Sequence, residues 1–252
     1  MKKVLSFIAL AAMVCFVACQ KADNKKSGNK ENQGGNDEPE EVYEAPITID
    51  GDYADWAKLD ASKVATATCP SGAKYEALKT LKVYADEYYM FMYIDFTPQA
   101  ADAAVSLGVF LNADNSDETG GYADLWNQPN SEWYFEGPVT DWDASLFKWW
   151  GGVGENGWIW SDPSTKHDDS DAWGAFVAAA GFCASSGDLA AGKAEFSIAL
   201  ESLAETFTLS STFDLGVTLA ISWATAGVLP CGAISDDDPN GIAPKLKVTV
   251  VK

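Results

Sequence analysis

The chain is 252 residues long and carries a formal charge of −20, with 37 acidic side chains against 17 basic ones, a single histidine and no arginine. That balance excludes nucleic acid as a partner, because phosphate recognition needs Lys and Arg to neutralise the backbone and the Arg fork for geometric selectivity, whereas calcium and neutral ligands stay open. Aromatic residues at 12% and charged residues at 21% describe a chain that can fill a core rather than one that stays disordered.

Lys2 and Lys3, an apolar run from Val4 to Val14 too short to span a bilayer, and the small residue Ala18 have the layout of a secretory signal. Cys19 directly after it, in Phe16-Val-Ala-Cys19, makes the segment resemble a bacterial lipoprotein signal. The resemblance implies cleavage after residue 18, acylation of Cys19 and, with Gln20 in place of Asp, delivery to the outer membrane or cell surface. Removing residues 1–18 takes two lysines away and moves the charge to −22. The following polar tract to Glu41 has nothing to bury and reads as a flexible tether, with a root-mean-square reach of about 25 Å. The division expected is therefore a signal at 1–18, a lipidated cysteine and linker at 19–45, and a single folded domain at 46–252. No later segment has the length and apolarity of a membrane span.

From Ile47 onward short apolar or alternating runs are separated by Gly, Asp, Asn and Pro clusters, with little sustained helical periodicity. Residues 81–84 and 88–96 flank Asp86-Glu87 and predict a hairpin whose second strand, nearly continuously apolar, is central. Further strands are expected at 106–111, 133–136, 145–150, 157–160, 175–183, 193–199, 215–223 and 245–251, and a helical turn at 201–206; residues 178–181 lack β-branched side chains and suit a helix as well. The run Lys193-Ala-Glu-Phe-Ser-Ile-Ala199 alternates as a half-exposed strand should. About ten short strands predict an all-β domain, an antiparallel β-sandwich of jelly-roll-like kind.

Four blocks stand in order: Ile47-Thr-Ile-Asp-Gly-Asp-Tyr-Ala-Asp-Trp56, the hairpin from Lys82 to Asp95, Val109-Phe-Leu-Asn-Ala-Asp-Asn-Ser-Asp-Glu-Thr-Gly-Gly-Tyr122, and Trp133-Tyr-Phe-Glu136. Together they resemble the sandwich family of family 9 carbohydrate-binding modules and their DOMON-like relatives. The resemblance covers residues 47 to about 136; beyond that it rests on 193–198 and the terminal strand. It implies the sandwich fold and, by analogy alone, sugar binding. In the first block, Asp50-Gly51 is a turn and Trp56 a core plug rather than a ligand platform.

The loop 112–122 carries oxygens on Asn112, Asp114, Asn115, Ser116, Asp117, Glu118 and Thr119 before Gly120-Gly121. Calcium takes six to eight such oxygens, and Asn112, Asp114 and Asp117 are the candidate ligands; the relatives often hold a metal here. The alternative is a hydrogen-bonded Asx turn. Trp142, Trp149, Trp150, Trp158, Trp160 and Trp173 crowd into 32 residues. Sugars stack apolar faces on aromatic rings and bond their hydroxyls to carboxylates and amides, so Trp142, Trp149, Trp150, Trp158 and Trp160, with Trp126 beside the loop, are the candidate carbohydrate-binding residues.

No catalytic residue stands out. His167 is the only histidine, which excludes histidine-rich zinc sites, and no Gly-x-Ser-x-Gly elbow exists to build a serine triad around it. Cys69, Cys183 and Cys231 show no C-x-x-C spacing, and their three possible pairings are equivalent by sequence. The reading is a non-catalytic, surface-anchored glycan-binding lipoprotein assisting polysaccharide capture, with a calcium-stabilised loop and the membrane engaged through its lipid. An envelope protein that docks protein partners without sugar affinity, and a polysaccharide-cleaving enzyme, are the alternatives.

Overall fold

A computed structural model describes residues 43–116, 121–122, 125–127, 130–141, 145–148, 183–200 and 209–252. The signal segment 1–18, Cys19 and residues 20–42 of the linker lie outside them, as do the strand expected at 157–160, most of that at 175–183, and the helical turn expected at 201–206.

The described residues form β1 (Ala65–Thr68), β2 (Leu78–Asp86), β3 (Tyr89–Phe96), β4 (Val105–Asn112), β5 (Gly121–Tyr122), β6 (Asn130–Ser131), β7 (Trp133–Pro138), β8 (Ser145–Lys148), β9 (Cys183–Asp188), β10 (Lys193–Ala199), β11 (Thr212–Ile221), β12 (Ala224–Leu229) and β13 (Leu246–Val251). Two short 3-10 turns, Tyr53–Ala57 and Ala61–Lys63, precede them. Each is started by an aspartate, Asp52 accepting from the Ala54 N–H and Asp60 from the Ser62 N–H, which meets donors the turn itself leaves unpaired. Apart from these turns the regular structure of the described residues is all strand, consistent with the all-β class expected.

Eleven strands share one curled sheet in the order β8-β7-β4-β11-β13-β2-β3-β10-β9, with β1 added on β2 and β12 on β11; β5 and β6 pair separately. The pairings are antiparallel except that β13 runs parallel to β2, where Val250 faces Ala85 and Val251 faces Asp86. The sheet is therefore mixed rather than purely antiparallel. The expected β2–β3 hairpin forms, its turn held by Asp86 Oδ1 accepting from the Tyr88 and Tyr89 N–H groups at 2.8 Å each.

Alternation on each strand sends one set of side chains into a common interior. Leu81, Val83 and Ala85 of β2, Met92 and Ile94 of β3, and Phe196 and Ile198 of β10 meet Leu107 and Val109 of β4, Phe135 of β7 and Leu215 and Val217 of β11 in one cluster, all fully buried. Burying each larger aliphatic or aromatic side chain contributes about 1.5–3 kcal/mol. This cluster is why both halves of the curl stay together.

The outer face of β3 and β10 is covered too. Ile47 and Trp56 pack on Phe91 and Tyr93 in a second cluster, and Trp56 is buried, as the sequence predicts. Glu195 on β10 is the latch: Oε1 accepts from the N–H groups of Asp50 (2.9 Å) and Gly51 (2.7 Å), and Oε2 from Trp56 Nε1 (3.3 Å). The half-exposed reading of β10 is thereby corrected. Its polar residues do point away from the main core, but the segment from Ile47 to Trp56 lies over them, leaving Glu195 and Ser197 buried.

Candidate functional site

Two places gather polar or aromatic groups that packing alone does not call for. The first lies at the end of the curl where β4 begins and β7 and β11 end. Val105 faces Ile221, and Ser106 faces Pro138. A groove of about 410 Å³ opens there, lined by Ala103, Val105, Glu136, Pro138, Leu189 and Trp223 among others. Its volume is in the range of small-ligand sites.

Trp223 stands at its lip, 90% exposed. Ser222 and Trp223 connect β11 to β12 with φ of 50° and 69°, the left-handed pair of a two-residue hairpin turn that Asn-Gly usually occupies. A bulky residue there is strained, by about 1–3 kcal/mol. The turn is pinned by the Ser222 N–H donating to the Ala104 carbonyl at 2.8 Å. The strand expected over 215–223 thus ends at Ile221 and is followed by a strand the sequence reading does not contain. No Gly, Asn, Asp or Pro marks the turn, so local chemistry gives no signal for it, nor for Trp223 as a displayed ring.

Beneath the groove β7 alternates, Trp133 and Phe135 inward, Tyr134 and Glu136 outward. Burial and the neighbouring Glu136 raise the Tyr134 phenol far above its ordinary value, so it remains a neutral donor. The site therefore offers one exposed indole, one carboxylate and the apolar side chains of Ala103 and Pro138.

The second place is the loop after β4. Asn112 is buried and its Nδ2 donates to the Ser116 carbonyl at 3.0 Å; Asp114 Oδ1 accepts from the Ser116 N–H at 3.0 Å, which is the Asx turn. Glu132, fully buried, adds a carboxylate from the segment between β6 and β7, with Oε2 accepting from the Ala113 N–H at 2.6 Å. Asn112 Oδ1 and Glu132 Oε1 are buried with no hydrogen-bond partner. Burial above all, with Asp114 contributing, pushes Glu132 up to about 7. Two orphaned oxygens and a nearby aspartate are a donor set that a hard cation fits, although the described residues contain no cluster of three acidic, Cys or His side chains. Asp117, the third candidate ligand, lies outside the described residues. Glu132 escapes sequence reading because it comes from a segment that pairing, not proximity in the chain, brings to the loop.

Of the candidate sugar platforms, Trp126 is inside. It is 2% exposed, packs at a tilt against Phe110 with ring centroids 5.2 Å apart, and donates from Nε1 to the Pro230 carbonyl at 3.0 Å. Gly216 on β11 makes room for it, since a Cβ there would meet the indole at 2.5 Å. The ring packs in this position and presents no open face. Trp142, Trp149, Trp150, Trp158 and Trp160 lie outside the described residues, as does His167. The acidic run Asp236-Asp237-Asp238 is a surface loop in which Asp238 accepts from the Asn240 N–H and donates its own N–H to Ser235.

A scan against protein-family models and a search of curated proteins both find no match to this chain.

Proposed function

We propose that this chain is a non-catalytic, lipid-anchored surface protein that binds glycan, with Trp223 as a stacking platform at the mouth of the groove bearing Glu136. The observation that carries the reading is Trp223 itself: a ring 90% exposed on a backbone at φ 69°. Hydrophobic burial does not explain that placement, and strain kept at an exposed aromatic points to a role for the ring. A pyranose laid on the indole would present its hydroxyls to Glu136 and to Thr140, which also lines the groove. The acidic chain suits a neutral rather than an anionic saccharide. The tryptophans at 142–160 and the four motif blocks support the same class of ligand, and the curled sheet is compatible with the jelly-roll-like sandwich those blocks imply.

Calcium completes the proposal at the loop after β4, held by Asn112, Asp114, Asp117 and Glu132. Bound there, it would supply the positive charge that the two orphaned oxygens lack.

The test of the sugar site is affinity electrophoresis and a glycan array with the wild type and Trp223→Ala. The variant should lose tenfold or more of its retention, with a melting temperature close to that of the wild type, because the exposed ring leaves no cavity and alanine keeps the same left-handed backbone. Equal retention of the two proteins removes Trp223 from the site, and failure of the wild type across neutral glycans removes the function.

A further inference from the structure

We propose that Cys69 and Cys231 form a disulfide bond in the exported protein, and that Cys183 stays outside it. The two sulfurs lie 3.9 Å apart although the residues are 162 positions apart. A disulfide closes at about 2.05 Å, and rotation about the two Cα–Cβ bonds covers the difference if the backbones are already in place. They are. Cys69 leaves β1 with its N–H on the Lys79 carbonyl at 2.9 Å, and the stretch after it runs beside the stretch around Cys231: the Ala77 N–H donates to Ala226 and the Ile234 N–H to Gly72, each at 2.9 Å. Glu76 pairs with Gly227, and Ala73 with Ala233. None of these contacts involves sulfur, so the pair is brought together by the fold rather than by the bond. Cys183 begins β9, which β10 and β3 separate from β2.

Burial first, then the adjoining Cys69 sulfur, pushes the Cys231 thiol up to about 12. Direct air oxidation at neutral pH is slow for such a thiol, and the reagent is a disulfide donor of the dithiol-oxidant class found in oxidising envelopes. One protein thiolate attacks the donor disulfide, forming a mixed disulfide and releasing one donor thiol. The second protein thiolate attacks the protein sulfur of that mixed disulfide and releases the other. Two electrons and two protons pass to the donor, which leaves as a dithiol. The bond would tie together every strand from β2 to β12, a long loop whose closure restricts the unfolded chain strongly.

The experiment is to recover the full chain from the envelope without reductant, alkylate free thiols, digest and identify peptides by mass spectrometry. A second sample, purified reduced, is exposed to oxidised glutathione at pH 8. Both should give the Cys69–Cys231 cross-linked peptide with Cys183 alkylated, and reductant should lower the melting temperature by on the order of 10 °C, a shift that Cys183→Ser leaves intact. Cross-linking of Cys183 to either partner, or alkylation of both Cys69 and Cys231 in the glutathione sample, overturns the proposal. Formation of the bond with glutathione alone, in a chain that reaches the envelope reduced, overturns it for the cell.

Discussion

Two buried carboxylates show how differently the same side chain can be used. Glu195 has both oxygens met by three donors, and so fastens the segment from Ile47 to Trp56 to the outside of β10. Glu132 meets one donor through Oε2 and leaves Oε1 bare. Its folded value of about 7 stands above the ordinary 4.5, so between those values the folded chain holds a proton that the unfolded chain has released. Stability from this group is complete below about pH 4.5 and declines as pH rises through 7. In chelator, the melting temperature should fall between pH 5 and pH 8, by an amount worth about 3 kcal/mol, and Glu132→Gln should flatten that decline. A parallel decline in the variant would assign it to another group. Lys245, whose buried ammonium donates to the Asn130 carbonyl and Ser131 Oγ, is lowered by burial to about 8. Its penalty lifts from about that pH upward, so it touches only the upper edge of the window and acts there in the opposite direction.

At the scale of elements, the outer face of β11 shows how a gap in one strand receives a ring from a distant loop. Gly216 lies between Leu215 and Val217, both in the main core, and its missing side chain is where the Trp126 indole sits. Gly216→Val should force the ring out and cost about 1–3 kcal/mol, read as a lowered denaturation midpoint. Trp126→Ala should cost a similar or larger amount by leaving Phe110 and Val228 uncovered. Because both changes act on one contact, the double variant should lose clearly less than the sum. Strict additivity would mean the two residues are not coupled. The β11–β12 turn is the contrasting case: its strained pair holds a ring in solvent, where no packing energy repays the backbone.

For the whole molecule, the proposal joins an anchor, a tether and a binding domain. A lipid on Cys19, as proposed, would contribute about 0.8 kcal/mol per buried methylene, enough with several chains for stable attachment. Labelled fatty acid should enter the wild type and not Cys19→Ser, which should leave the membrane fraction. A Cys19→Ser protein still sedimenting with membranes would show that something other than lipid retains it.

The legible part of the fold is local. The β2–β3 hairpin, the core role of Trp56 and the bounds of β10 follow from alternation, turn residues and apolar runs, which act over a few positions and leave their period in the sequence. What only the tertiary structure decided is which faces are covered and which residues meet: Glu195 bonded to residues 139 to 145 positions away, Trp126 inside and Trp223 outside, Glu132 beside Asn112, Cys69 beside Cys231, and β13 parallel to β2. Indole, carboxylate and thiol carry the same local signal in either setting. Their surroundings depend on pairings between distant strands, and those have no period to read along the chain.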